Sequence, residues 1–144
     1  IGAFGFSLGG AVALMSKNKE IKAIVADSSY ASLDRMVEAL YRQFFFLKTP
    51  FVFLTNIYTK IFFGVYPKDI SPLEDIKKIN APVLLIHAGR DSQIPAENSI
   101  LLHKNAKNAE LWVIENADHG QTHALKREEY EQRILGFFEK NLGK

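Results

Sequence analysis

Short apolar runs recur along the chain at wide spacing: "IGAFG" (1–5), "KAIVA" (22–26), "PVLLIH" (82–87) and "ELWVI" (110–114). None of them alternates apolar with polar positions. That is the pattern of strands buried on both faces of a parallel sheet, not of strands with one wet face. Between the runs the periodicity becomes helical, over Ala11 to Ser16, Ala96 to Asn105 and Arg127 to Leu142. In the last of these, Tyr130, Ile134, Phe137 and Phe138 share one side, and Gly143 marks its end. Strands and helices in alternation predict right-handed crossovers and a doubly wound parallel α/β sheet, with residues 1–144 forming one domain.

One stretch breaks the alternation. Between the second and third strands, Leu33, Met36, Val37, Leu40, Tyr41 and Phe44 follow a helical spacing, with Ser32 placed as its N-cap. A second helix is expected after Thr49 as cap, with Pro50 in its first position. Its one side holds Phe51, Leu54, Tyr58, Ile61 and Phe62, and Gly64 ends it. Residues of about 31–70 therefore read as a helical insertion, a cap. Seven of the eleven phenylalanines fall between 44 and 63, more than one buried face uses, and no acidic residue occurs from Ala39 to Lys68. Phe44, Phe45, Phe51 and Phe62 are candidates to line a substrate pocket.

Composition changes this picture little. A chain of 144 residues, 47% hydrophobic and 24% charged, is long enough to bury roughly two thirds of its unfolded surface. A net charge of +2 with scattered lysines leaves no basic stripe for a nucleic acid. Without cysteine there is no disulfide, no Cys-ligated zinc and no thiol nucleophile. The longest apolar tract, Phe44 to Tyr66, carries Lys48, Pro50 and Lys60, which argues against a membrane span. With no signal peptide leading the chain, the expected compartment is the cytoplasm, and Ile1 in place of an initiator methionine leaves the native start open.

Candidate chemistry begins at "GFSLGG". Ser7 stands between a strand and a helix, framed by glycines, where a tight turn would present its hydroxyl. The backbone N–H of Leu8 would then emerge from the positive end of the helix and could stabilise a developing oxyanion. A serine needs a base. His87 ends an apolar strand and reads as a core residue, and His103 reads as a solvent-facing helical one. His119, in "ENADHGQTH", follows the last strand, at the sheet end where ligand sites of open α/β folds gather. His123 is its rival. Asp118, His119 and His123 also suggest a metal site, but Gly120 undermines the helix such a pair needs, and no metal is expected. A carboxylate must orient the histidine. Asp91 in "HAGRDSQIP" is preferred, and Asp27 in "VADSSY" is the alternative. Ser, Asp and His then come in that order, each after a successive strand.

These motifs together resemble the C-terminal half of an α/β-hydrolase, near the prolyl-oligopeptidase-like and dienelactone-hydrolase-like branch. "GFSLGG" resembles the family's nucleophile elbow, "PVLLIHAGRDSQIP" its strand and H-G-x-x-D-x-x-x-P loop, and "NADHG" with "EEYEQRILGFFEKNL" its histidine loop and final helix. Ala88 stands where that loop usually has glycine. The resemblance implies Ser7 as nucleophile, Leu8 as an oxyanion donor, Asp91 as acid and His119, rather than His123, as base. It implies a serine hydrolase of carboxylesterase or peptidase type that needs no cofactor and cleaves an ester, thioester or amide bond through an acyl-enzyme on Ser7. The aromatic insertion, roofing the site, favours a small-molecule or peptide substrate with an apolar acyl group.

The family's first strands, and the loop that supplies the second oxyanion N–H, lie outside these residues. Loss of one oxyanion donor typically costs roughly a hundred- to a thousandfold in turnover, so the 144 residues alone are expected to be weakly active. The outer edge of strand 1–5 would seek the rest of the sheet or a second copy, giving a homodimer through that edge. The rival reading is a non-catalytic module whose Phe-rich insertion docks partners or makes a peripheral membrane contact.

Overall fold

The computed structural model describes residues 1–143. Four parallel strands, β1 (Gly2–Phe6), β2 (Ala23–Asp27), β3 (Val83–Ala88) and β4 (Ala109–Ile114), lie side by side in chain order. Every residue of β2 and β3 is buried, as their uninterrupted apolar runs require. The register sets Phe6 beside Asp27, Asp27 beside Ile86 and Ala88 beside Ile114, so the carboxyl ends of the four strands are level.

Three helices that return the chain between strands, α1 (Leu8–Met15), α4 (Pro72–Ile76) and α5 (Glu97–Asn105), contribute Leu14, Ile76 and Leu102 to one core with Ile24, Ala26, Val83 and Leu85. Strands added in one direction by right-handed crossovers put their helices on one face, which is what is seen. The short helix α6 (Thr122–Leu125) and the long α7 (Arg127–Leu142) cross to the other face. There Tyr130 and Phe137 cover Val25, Leu84 and Ile86, with Ile134 and Phe138 at the margin. Both faces of the sheet are thus covered by helices. β1 is an edge strand, and Phe4 and Phe6 on it remain partly exposed.

Two helices start earlier than the sequence suggests. α1 begins at Leu8 rather than Ala11, because the tight turn at Ser7 and close packing on the sheet carry Gly9 and Gly10 into the helix despite their low propensity. A Cβ at Gly10 would lie 3.1 Å from the Ser29 Cβ, so a larger residue would push the helix away. The second insertion helix begins at Lys48, leaving Pro50 third instead of first. The first four N–H groups of a helix have no intrahelical acceptor, so proline at that position breaks no bond.

The insertion holds α2 (Leu33–Tyr41) and α3 (Lys48–Phe63), joined by a 3-10 turn over 42–47. Its base is closed by two backbone bonds, Leu33 N–H to the Ile70 carbonyl and Leu73 N–H to the Ala31 carbonyl. α3 packs on α2 and the joining turn, and Gly64 ends it in the left-handed region at φ 74°.

Candidate active site

The turn from β1 into α1 is built around Ser7, which has φ 52° and ψ −115°. A side-chain-bearing residue rarely takes such a conformation, and it persists only where its surroundings impose it. Here the Ser7 N–H donates to the Asp27 carbonyl at 2.8 Å, and the Ser7 carbonyl accepts from Ala11 N–H at 3.2 Å. The chain therefore leaves the sheet and enters the helix within one residue. A Cβ at Gly5 would stand 2.2 Å from the Gly9 carbonyl, so Gly5 is needed for that close approach, whereas a Cβ at Gly9 would meet nothing. Leu8 opens the helix with its N–H among the unpaired first-turn donors at the positive end.

His119 and Asp91 meet across the loops that follow β4 and β3. The His119 Nδ1–H donates to Asp91 Oδ2 at 2.6 Å, leaving Nε2 free to accept a proton. Asp91 is held from the other side, since its Oδ1 accepts the backbone N–H groups of Gln93 (2.9 Å) and Ile94 (2.7 Å). Its side chain is fully buried and that of His119 nearly so. Gly89 lets the two loops touch, because a Cβ there would lie 2.6 Å from the Glu115 Cα.

The His119 ring rests against Phe6, the residue before Ser7, at 5.0 Å between ring centroids. Among the described residues the Ser7 hydroxyl takes part in no hydrogen bond, to His119 or to any other side chain. Contacts of this kind are often long without substrate and tighten in the complex.

The other candidates are engaged elsewhere. Asp27 is buried beneath the site, where it accepts hydroxyl bonds from Thr122 (2.7 Å), Tyr130 (2.8 Å) and Ser28 (2.9 Å). Burial, and then the Asp27 carboxylate beside it, push the Tyr130 hydroxyl well above its ordinary pKa. His123 is exposed and pairs with Glu131 at 3.0 Å. With His119 turned to Asp91 and His123 to Glu131, the described residues hold no group of three His, Cys, Asp or Glu suited to a metal ion. His87 donates from Nε2 to the Ile94 carbonyl at 2.8 Å and its Nδ1 lies 2.6 Å from the Ser99 hydroxyl, so both ring nitrogens of this buried core residue are satisfied.

Two supporting groups escaped the sequence. Asp118 Oδ1 accepts from Ser92 N–H (2.8 Å), the Ser92 hydroxyl (2.9 Å) and His119 N–H (2.7 Å), latching the histidine loop to the aspartate loop. The bonds from Ser92 and then His119 hold its carboxyl below the usual carboxylate range. Asp27 with Thr122 and Tyr130 fixes the histidine loop from below. No spacing rule joins partners this far apart in the chain. A serine directly after Asp91 and an aspartate directly before His119 were the only visible hints.

The insertion's aromatic candidates group among themselves. Phe44 and Phe51 pack with Tyr41 and with each other, Phe62 lies on Tyr58, and Phe45 stands exposed at the joining turn. Among the described residues the aromatic partner of His119 is Phe6, and none of these four rings pairs with His119.

A sequence model of the prolyl oligopeptidase family matches residues 1–144. The chain belongs to that family. Its fold is the α/β-hydrolase fold, shared with an esterase, Pf2001 of Pyrococcus furiosus. The two are 31% identical with a TM-score of 0.75 over 99% of this chain and 55% of the esterase. An acylaminoacyl peptidase of Pyrococcus horikoshii, 21% identical, has the same fold at a TM-score of 0.72 over 98% of this chain and 24% of that one. In sequence, this family member is 27% identical over 131 residues to the proline iminopeptidase PfmaB of Pestalotiopsis fici, covering 88% of this chain and 46% of that protein. It is 26% identical over 145 residues to the uncharacterized protein YqkD of Bacillus subtilis, covering 96% of this chain and 48% of that one. The chain spans about half the length of the curated relatives it matches.

Proposed function

We propose that these residues carry the catalytic Ser, Asp and His of a serine hydrolase that cleaves an acyl ester or amide through an acyl-enzyme on Ser7. The observation that carries the reading is the pairing of His119 with Asp91 at 2.6 Å, at the same sheet edge as a serine on a strained turn. The Ser7 hydroxyl attacks the carbonyl carbon while His119 Nε2 takes its proton, and Asp91 stabilises the cation that forms. The tetrahedral oxyanion faces the Leu8 N–H. Collapse returns the proton through His119 to the leaving alcohol or amine. Water, deprotonated by the same nitrogen, then attacks the acyl-enzyme, frees the acid and restores Ser7. Similarity to an esterase at 31% identity makes a short-chain ester the first substrate to test.

A fluorophosphonate probe tests the assignment in the intact protein. Labelling should fall on Ser7 and vanish in Ser7→Ala. Labelling that survives in Ser7→Ala removes the nucleophile, and labelling lost in His123→Ala but kept in His119→Ala moves the base.

A further inference from the structure

The outer side of α3 is apolar. Phe53, Ile57 and Ile61 form one row at a spacing of four residues and Leu54, Tyr58 and Phe62 the row beside it, so together they make a stripe along the helix, and all six are exposed. Thr55 and Thr59 are partly buried on the other side. The Thr55 hydroxyl donates to the Tyr41 hydroxyl of α2 at 3.1 Å, and the Thr59 hydroxyl donates back to the Thr55 carbonyl at 2.9 Å. Phe51 of α3 also packs on Tyr41 and Phe44, so the hairpin turns one apolar face inward and leaves a second one outward. The joining turn before α3 adds two more exposed rings, Phe45, 87% exposed and held at φ 48°, and Phe46, 81% exposed. A contiguous apolar surface of this kind marks a docking face.

Charge says what docks. From residue 39 to residue 68 the chain holds Arg42, Lys48, Lys60 and Lys68 and no acidic residue. At the far end of α3, Lys60 and Lys68 both lie over the Tyr66 ring, 5.0 and 5.4 Å from its centroid. An aromatic ring flanked by two ammonium groups suits the headgroup level of a bilayer. A helix of 16 residues is about 24 Å long, too short to cross a hydrocarbon core of about 30 Å, and no described helix is long and apolar enough to span one. Lys48, at the start of α3, is paired with Glu38 at 3.1 Å, so the cationic end is the far one, where Lys60 and Lys68 flank Tyr66. An aromatic and aliphatic side with lysines at its end is a feature of a helix lying in the membrane interface.

We propose that the α3 stripe and the Phe45–Phe46 turn dock this protein onto the surface of a bilayer rich in anionic lipid. The inference stands apart from the chemistry at Ser7. It is tested by sedimenting the intact protein with vesicles of phosphatidylcholine alone or mixed with phosphatidylserine. Binding is expected to the mixed vesicles and to weaken at high salt. Phe53→Ser combined with Ile61→Ser should lower it at least tenfold while the circular dichroism and melting midpoint hold, since both side chains are exposed. Lys60→Glu with Lys68→Glu should remove the preference for phosphatidylserine. Absence of binding, or equal binding to both vesicle types, overturns the proposal. So does light scattering that shows a dimer dissociated by the Phe53→Ser, Ile61→Ser pair, because a second copy would then occupy the stripe.

Discussion

Replacing Asp91 by asparagine should reduce kcat by about ten thousandfold while leaving the fold in place. The reason lies in how the carboxylate is held. Oδ1 already accepts two backbone N–H groups, from Gln93 and Ile94, at 2.9 and 2.7 Å. An asparagine of the same shape cannot turn its NH₂ toward two donors, so its oxygen keeps that place and its nitrogen takes the position of Oδ2, 2.6 Å from His119 Nδ1. The amide then donates to Nδ1 and drives the ring proton to Nε2. A ring protonated at Nε2 cannot accept the Ser7 proton, and no carboxylate remains to stabilise the cation. In serine proteases the same exchange costs about 10⁴ in kcat, or about 5.4 kcal/mol at 1.36 kcal/mol per tenfold. The assay is hydrolysis of a short-chain nitrophenyl ester by the intact protein, with kcat and KM separated and a thermal melt as control. A kcat within tenfold of the unmodified protein, with Asp27→Asn losing several orders of magnitude instead, would place the acid after β2 and refute the reasoning.

Two further outcomes follow from the supporting groups. Tyr130→Phe keeps the buried ring but removes a hydroxyl bond to the Asp27 carboxylate, and should destabilise the protein by about 1.5–3 kcal/mol in urea unfolding. An unchanged midpoint would mean that Thr122 and Ser28 satisfy Asp27 without it. The depressed pKa of Asp118 makes its carboxylate a stabilising group that acts in full above its unfolded value near about 3.9 and is lost as pH falls through the folded value. Stability should therefore fall more steeply below about pH 4 in the unmodified protein than in Asp118→Asn, and equal slopes would sink the latch between the two loops.

The four strands, the helix α7 and the break between β2 and β3 were legible in the chain because each rests on local periodicity. "AIVAD" and "VLLIHA" are apolar throughout, so only a position inside a covered sheet suits them. Tyr130, Ile134, Phe137 and Phe138 repeat at helical spacing, and they are the residues that meet the sheet. Ser7, Asp91 and His119 could be chosen as candidates for a related reason. Each follows a strand, and parallel strands in register bring the loops at their carboxyl ends together. What periodicity cannot hold is a choice between partners distant in sequence. Asp27 and Asp91 both follow a strand, and His119 and His123 lie four residues apart. Thr122 and Tyr130 bind Asp27 only once α6 and α7 are packed across the sheet, and His119 reaches Asp91, already held by the local Gln93 and Ile94 N–H groups, only once the loops after β3 and β4 meet. The direction of the α3 stripe was equally hidden. A helical pattern fixes which side is apolar, but only packing on α2 through Thr55 and Tyr41 decides that this side faces outward.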